Sequence, residues 1–322
     1  MPRTKKRYPI KKQSIMLFRN TLRYLLPLLA ALLVCSCIWD NRADCLYPVS
    51  VKFLFTHNTQ GEDLFDAEGI DNIHLFVYDY ENRLVLRQQF HRSDLTPGNI
   101  RQLMLPMGRY TLIAWAGDLQ TTCRYESTEY LPDALLKLRR EPGGIASHCP
   151  RKLFNGICIP LFAGIVGKDN YEADLRKNTN DIRIRIKGTP PFIPRAEELD
   201  CTITAVNGDY TFDNRTHGND RVQYMPQTTA EDDEVHCDFT VLRLWEGDES
   251  RLKLTLRDAS GTRAEATIYE GSLSKLLLKK PGTDLNMEDK FELVFTIDNP
   301  SDPTDVTLTV NGWEVVDHNS GL

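Results

Sequence analysis

The sequence predicts an all-β protein made of two tandem β-sandwich domains. Short segments rich in β-branched and aromatic residues recur along the chain, and Gly, Pro and Asn-Gly turn signals interrupt them about every 8 to 12 residues. Few stretches have helical periodicity. The chain has 322 residues, 41% of them hydrophobic and 26% charged, which is an ordinary globular composition and enough for about two domains.

The amino terminus has the features of an export signal. Arg19 precedes the apolar run Leu22–Val34, which is well short of the ~20 residues that a membrane-spanning helix needs. We therefore predict that residues 1–36 are a signal peptide that is removed after export. Met1 and Met16 are both candidate starts, because Met16 begins a compact signal with basic residues of its own.

Cys37 is the predicted lipidation site. It ends the segment Val34–Cys37, which resembles the bacterial lipoprotein signal, in which a small residue precedes the modified cysteine. Ser36 fits that place before Cys37, whereas the branched Val34 precedes Cys35. Several acyl chains, palmitate among them, would make a stable membrane anchor. The alternative is ordinary secretory cleavage near this position, with Cys37 as an unmodified thiol.

The first half of the mature chain is predicted to contain strands with one helix. A polar stretch between residues 167 and 180 marks the boundary with the second half, so the predicted domains span residues 48–177 and 178–322, after a lipidated tether at 37–47. A helix is predicted at Leu131–Arg140, where the Pro-Gly-Gly sequence that follows gives a stop signal. The predicted strands of this half are Val49–Thr56, Asn72–Asp79, Leu84–Phe90, Ile100–Leu105 and Arg109–Ala116.

The second half repeats the same pattern. Asn207-Gly208 and Asn311-Gly312 are predicted to be hairpin turns, and Leu273–Lys279 is predicted to be a short helix. The predicted strands are Asp181–Lys187, Cys201–Val206, Tyr210–Phe212, Val235–Leu244, Leu252–Arg257, Arg263–Tyr269, Phe291–Ile297 and Val306–Val316.

Motifs of catalytic chemistry are absent from the sequence. It contains no nucleophile elbow, phosphate loop, dinucleotide fingerprint or zinc-protease motif. All 45 acidic residues but only 31 of the 39 basic ones lie beyond residue 36, and the resulting charge of −14 disfavours nucleic-acid binding. Glu231–Glu234 is predicted to be a solvated loop, because four consecutive side chains cannot all face one ion. We predict no enzyme, no metal site and no cofactor except the covalent lipid on Cys37.

Cysteine and tryptophan residues of the mature chain are predicted to be structural. Beyond Cys37, six cysteines are expected to be disulfide or buried thiol positions, and the sequence does not distinguish among their 15 pairings. Three tryptophans inside strand-like segments are expected to pack in the core, with carbohydrate stacking as the alternative. These residues are Cys45, Cys123, Cys149, Cys158, Cys201, Cys237, Trp115, Trp245 and Trp313.

Several segments, taken in order, resemble the fimbrillin-associated anchor lipoproteins of the Bacteroidetes. The lipid-type Cys37 is followed by the acidic residues Asp40 and Asp44. The further segments that carry the resemblance are Val51–Asn58, Asp63–Phe65, Ile70–Asp79, Leu105–Gly117 and Val310–Asp317. Thr56–Asn58 departs from the family, which more often has aromatic and acidic residues there.

The resemblance implies two transthyretin-like, Greek-key sandwich domains and a role at the base of a fimbria. The chain would be an outer-membrane lipoprotein, lipid-anchored and exposed at the cell surface, whose partner is the fimbrial shaft subunit, a fimbrillin. In related shaft subunits a neighbour's strand fills a proteolytically opened groove. Val49–Thr56 is expected to stay in place as that strand and so to end assembly, while the carboxy-terminal strand region meets the shaft. The alternative is a tip or surface adhesin that binds glycan or host protein.

Overall fold

The computed structural model describes most of the mature chain. The described residues are 45–146, 148, 151–167, 169–189, 194–231, 233–257, 266–299 and 302–316. Among them, no helix is both long and apolar enough to cross a membrane. The predicted signal peptide, Cys37, Cys149 and the start of the strand predicted at Arg263–Tyr269 lie outside the described residues.

The described residues fold almost entirely into strands, which confirms the all-β prediction. Only two short α-helices occur among them, α1 at Leu119–Thr122 and α2 at Leu273–Leu277, besides single 3₁₀ turns. The strands are β1 Leu46–His57, β2 Ile73–Tyr78, β3 Leu84–Phe90, β4 Ile100–Pro106, β5 Gly108–Gly117, β6 Cys123–Glu126, β7 Leu135–Leu138, β8 Ile145–Ala146, β9 Leu153–Ala163, β10 Asn170–Lys177, β11 Thr179–Gly188, β12 Leu199–Ala205, β13 Asp209–Thr211, β14 Val222–Tyr224, β15 Gln227–Glu231, β16 Glu234–Leu242, β17 Arg251–Leu256, β18 Ala266–Ser272, β19 Lys290–Asn299, β20 Asp302–Val310 and β21 Trp313–Glu314.

The first half is built on a seven-stranded sheet that curls around its own core. The strand order is β3-β2-β5-β9-β10-β1-β4, and β1 runs parallel to β10. The two edge strands approach each other, because the Arg101 guanidinium of β4 donates to Gln88 and lies over the Phe90 ring of β3. The enclosed face therefore forms one apolar core.

The opposite face of the same sheet is also buried. All six residues of β2 are buried, because the side chains of this strand alternate between the enclosed core and the outer face. A three-stranded sheet in the order β13-β7-β6 covers the outer face. A strand buried on both sides needs a nearly continuous apolar sequence, and Ile73–Tyr78 has one.

The second half is a sandwich of a six-stranded and a five-stranded sheet. Their orders are β15-β16-β11-β19-β20-β21 and β18-β17-β12-β14-β8. Ile182, Ile184 and Ile186 of β11 are buried in the shared core, as the strict alternation of Asp181–Lys187 predicts. Strand β11 runs parallel to β19, just as β1 runs parallel to β10 in the first half.

Two sheets draw strands from both halves of the chain. Strand β13 pairs with β7, so that Tyr210 lies opposite Leu136, and β14 pairs with β8, so that Tyr224 lies opposite Ala146. Residues Tyr47–Leu322 accordingly form one compact unit. The chain passes from the seven-stranded to the six-stranded sheet at the predicted boundary of 177 and 178, and the division into domains there stays a prediction.

One aromatic ring of the second half lies at the centre of this shared region. Phe212, directly after β13, is fully buried, and its ring lies 4.8 Å from that of Phe76 and 5.9 Å from that of Tyr125. The rings of Tyr78 and Trp115 each lie 6.3 Å away. Edge-to-face aromatic pairs of this kind add to the free energy gained from apolar burial.

Residues 177–180, at the end of the polar segment that marks the boundary, are buried and hydrogen-bonded. Asn178 is fully buried, its backbone N–H donates to the carbonyl of Leu153 and its side chain pairs with that of Asn214. The Asn180 side chain accepts from the backbone N–H of Leu244 at 2.8 Å. The composition of this segment therefore reflects a need for polar groups that satisfy buried backbone atoms.

The helix predicted at Leu131–Arg140 is wrong. Leu131–Asp133 is a single turn of 3₁₀ helix, and Leu135–Leu138 is strand β7. Leu136 and Leu138 are buried on one face of the strand, which is the period of two that a sheet requires. Pairing with β6 and with the distant β13 overrides the high helix propensity of the local sequence.

The hairpin predicted at Asn207-Gly208 is also wrong. Strands β12 and β13 belong to different sheets, and Asn207 lies at the crossover between them. The buried Asn207 side chain donates to the carbonyl of Leu242 at 2.7 Å and accepts from the Tyr224 hydroxyl at 2.6 Å. A Cβ at Gly208 would lie 2.5 Å from Val222, so a glycine is needed for close packing.

The shared aromatic core predicts a large loss of stability in Phe212→Ala. Removing a fully buried phenylalanine leaves a cavity and costs about 3–5 kcal/mol of the free energy of unfolding, measured by urea denaturation. The exposed control Tyr80→Ala should change it by less than about 0.5 kcal/mol. A loss below about 1 kcal/mol for Phe212→Ala would contradict a core shared by both halves.

Candidate functional site: sheet edges and the inserted first strand

Strand β1 is inserted into the interior of the seven-stranded sheet. It lies between β10 and β4, in parallel register with β10 from Ser50 opposite Asn170 to Leu54 opposite Asp174. On the other side, the backbone N–H of Phe53 donates to the carbonyl of Asn99 at 2.9 Å. The strand therefore has backbone partners along both of its edges.

Alternate side chains of β1 point into the enclosed core. Val49, Val51 and Phe53 are fully buried and Phe55 is 4% exposed. The Phe55 ring meets the edge of the Phe154 ring at a centroid distance of 5.2 Å. Each of these side chains contributes about 1.5–3 kcal/mol through burial, so the strand is strongly held in the sheet.

Polar side chains fix the carboxyl end of β1. The Asp174 carboxylate accepts from the backbone N–H and the hydroxyl of Thr56, and it lies 3.7 Å from Nε2 of His57. The backbone N–H of Phe55 donates to the Asp63 carboxylate at 2.9 Å. These contacts fix Thr56 and His57, which belong to the segment at which the sequence departs from the family that it resembles.

The second candidate surface is the carboxy-terminal edge of the six-stranded sheet. Strand β21 pairs with the end of β20, and Asn311 and Gly312 form the turn between them with positive φ angles, as predicted. Asn311 holds this turn against β19, because its side chain accepts from the backbone N–H of Glu292 at 2.7 Å. Among the described residues, the segment 302–307 of β20 has a partner strand on one side only.

The three tryptophans differ in exposure. Trp115 is fully buried, which confirms core packing for that residue, and Trp245 is partly buried. The prediction for Trp313 is wrong, because its side chain is 51% exposed on β21. The sequence around Trp313 does not indicate this exposure, because the exposure follows from the position of β21 at the edge of the sheet.

The titratable side chains of the described residues are mostly buried in the core or paired with opposite charges. No cluster of three or more His, Cys, Asp or Glu side chains suited to a metal occurs within the part of the chain that the structure describes. Burial lowers the pKa of His74 to about 4, so this core histidine is neutral. Glu234 is not in a solvated loop as predicted, because it begins β16 and its carboxylate pairs with Arg185 and Lys187 at 2.8 and 2.7 Å.

The cysteines of the described chain are unbonded in this structure, and most are in the core. Cys123, Cys158, Cys201 and Cys237 are buried and Cys45 is exposed. Burial raises the pKa of Cys123 to about 12 and that of Cys158 to about 11. Neither of these two groups is therefore poised as a nucleophile.

The comparisons with known proteins agree with this architecture. A family model described as "Fimbrillin-A associated anchor proteins Mfa1 and Mfa2" matches residues 42–319. The chain belongs to this family. It is a family of fimbrial anchor proteins and not of enzymes. One relative, the "Minor fimbrium anchoring subunit Mfa2" of Porphyromonas gingivalis, is 23% identical over 294 residues, which cover 86% of this chain and 87% of the relative.

Solved structures of the same fold include a family member. "The fimbrial anchor protein Mfa2 from Porphyromonas gingivalis" matches with a TM-score of 0.69 at 21% identity, over 84% of this chain and 99% of that one. A candidate polysaccharide-binding protein from Bacteroides thetaiotaomicron matches with a TM-score of 0.72 at 24% identity, over 84% and 98% of the two chains. At these identities the structural matches establish the shared fold.

The insertion of β1 predicts slow amide hydrogen exchange along this strand. Amides Val51–Phe55 should exchange as slowly as those of the central strand β5, because both strands are bonded on two sides and buried. The fully exposed Val166 serves as a fast reference. Exchange of β1 many-fold faster than β5, measured by mass spectrometry or NMR, would show that the strand leaves the sheet.

Proposed function

We propose that this chain is an outer-membrane lipoprotein that anchors a fimbria at the cell surface and terminates its assembly by strand-mediated contact with the shaft subunit. The observation that carries the proposal is the match to a fimbrial anchor family over residues 42–319, in a chain whose sequence has a lipoprotein-type cysteine just before that segment. The lipid on Cys37 would supply the membrane attachment, and the folded unit beyond it would supply the contact with the fimbria.

The inserted β1 supports the terminating role. A sheet that lacks one interior strand exposes the backbone groups of both neighbours and an apolar groove, and a segment from another subunit can fill it. Here the chain's own Val49, Val51, Phe53 and Phe55 occupy that groove. A subunit that keeps its groove filled offers no acceptor for the strand of a further subunit on that side.

The carboxy-terminal edge supports a contact with the shaft on another side. The one-sided segment 302–307 of β20 leaves backbone donors and acceptors available for an added strand. Next to the turn at the other end of β20, Trp313 offers a half-exposed ring, and tryptophan is enriched among residues that dominate binding energy. An extended segment of the shaft subunit is therefore the proposed occupant of this edge.

A tip or surface adhesin is the second candidate function. The exposed Trp313 ring is the observation that favours it, because indole faces also stack on sugar rings. An adhesin would need this surface free to meet a glycan or a host protein, whereas an anchor would have it covered by the shaft. The two functions thus assign different occupants to the same residue.

Replacing Cys37 tests the membrane attachment. In Cys37→Ala we expect the acylated amino terminus to be lost, as measured by mass spectrometry of the mature protein, and fimbriae to be shed into the medium. Cys45→Ala is the matched control, because it removes a nearby exposed thiol and should leave both lipid and fimbriae in place. Attached fimbriae of normal length in Cys37→Ala cells would refute the proposal.

Replacing Trp313 tests the contact surface. Trp313→Ala should reduce recovery of the shaft subunit with the membrane-anchored protein by at least about tenfold, as the loss of a central binding residue does. Tyr130→Ala, at an exposed aromatic on the first half, should leave recovery unchanged. Unchanged recovery of the shaft with lost binding to a glycan array would instead support the adhesin.

A further inference from the structure

Two thiols face each other across the sandwich of the second half. Cys201 lies on β12 of the five-stranded sheet and Cys237 lies on β16 of the six-stranded sheet. Both residues lie in the same buried core, and each thiol shifts the pKa of the other, so the two side chains are neighbours across the sandwich. The residues are 4% and 1% exposed, respectively.

The surrounding structure holds these two strands in a fixed relation. The Asn207 side chain, just beyond β12, donates to the carbonyl of Leu242 at the end of β16 at 2.7 Å. The Tyr224 hydroxyl of β14 accepts from the backbone N–H of Leu242 at 3.4 Å. The proximity of the two cysteines therefore follows from the packing of two sheets and does not depend on a surface loop.

We propose that Cys201 and Cys237 form a disulfide that links the two sheets of the second half. The proposal rests on the export to an oxidising compartment that the proposed function includes, because disulfides persist there and rarely in the cytosol. The bond would close a loop from residue 201 to residue 237, which includes strands β13 to β15. It would tie together the two sheets of the half that carries the proposed contact with the shaft.

The disulfide would form by thiol–disulfide exchange. One of the two cysteines loses its proton and attacks a disulfide of the oxidant, which is an exchangeable protein or small-molecule disulfide, and one thiol of the oxidant leaves. The other cysteine then loses its proton, attacks the sulfur of the first and releases the second thiol.

Protons and electrons are conserved in this exchange. The Cys201 and Cys237 thiols together lose two protons and two electrons, and the oxidant disulfide gains both and becomes two thiols. Because both sulfurs are buried, exchange requires the sandwich to be open, as it is during folding after export. Once the sheets have packed, the same burial shields the bond from reductants.

Other buried cysteines of the described chain provide internal controls. Cys123 has the Thr122 hydroxyl 3.7 Å from its sulfur, and Cys158 lies in the enclosed core of the first half. Among the described residues, neither sulfur contacts another cysteine. Burial of a cysteine is thus common among the described residues, and of these cysteines only Cys201 and Cys237 also face another thiol.

Differential thiol labelling of the protein from native membranes tests the proposal. Free thiols are blocked with iodoacetamide in denaturant, disulfides are then reduced and labelled with N-ethylmaleimide, and peptides are assigned by mass spectrometry. We expect the second label on Cys201 and Cys237, and a linked peptide pair lighter by two hydrogens before reduction. The first label on Cys201 or Cys237 in most molecules would overturn the proposal.

Thermal unfolding gives a second measurement. Unfolding and refolding of the full chain in a phosphine reductant should lower its Tm by about 10 °C relative to the oxidised protein, because the loop closed by the disulfide is long. Cys201→Ala should have the same Tm with and without reductant, whereas Cys123→Ala should keep the difference. A wild-type Tm that does not respond to this treatment would contradict the proposal.

The labelling result and the fimbrial phenotype are independent. Labelling reports on the sulfurs whether or not fimbriae are attached, and Cys37→Ala reports on attachment whether or not the sulfurs are linked. Reduced sulfurs in a protein that still anchors fimbriae would refute the disulfide alone. Linked sulfurs in a protein that does not anchor fimbriae would refute the proposed function alone.

Discussion

Pairing of strands across the two halves is the constraint on which the rest of this structure depends. Strand β13 completes a sheet with β7, and Phe212 directly after it fills the outer face of the seven-stranded sheet. Without this contribution, Phe76, Tyr78 and Trp115 would form a large exposed aromatic patch. The buried ion pair of Arg140 with Asp209 lies in the same region and connects the halves through charge as well as packing.

In the proposed function, the shared core between the halves would carry load from the fimbria to the membrane. In the proposed arrangement, the membrane attachment lies before β1 and the contact with the shaft lies at β20 and β21. Load would then pass through the sheet that contains β1, the shared aromatic core and the second sandwich. Lys177, at the junction between the halves, is only 8% exposed and forms an ion pair with Asp289. A buried and paired charge therefore lies where the chain crosses from one half to the other.

The candidate surfaces depend on which strand edges of each sheet have partners. The first sheet brings side chains of its edge strands β3 and β4 together and keeps β1 inside, between β10 and β4. The second sheet ends at β20 and the two-residue β21, where backbone groups and Trp313 are accessible. Edge strands with and without partners decide where strand addition can occur, and in the proposed function they would place the terminating role and the binding role on different surfaces.

The sequence alone determined those properties that depend on local pattern. The alternation of Asp181–Lys187, the Asn311-Gly312 turn and the helix near Leu273 are all set by neighbouring residues, and the structure confirms each of them. Strands β9 and β10 went unassigned, because the polar composition of Asn170–Lys177 hides a strand that is buried between β1 and β9.

Only the tertiary structure decided which strands meet. The partner of β7 comes about 70 residues later in the chain, and this distant pairing turns a helix-like sequence into a strand. The same long-range packing places Trp313 at an edge and brings Cys201 and Cys237 into one core. Sequence patterns record which face of an element is apolar, but the identity of the surface that covers it is a property of the whole fold.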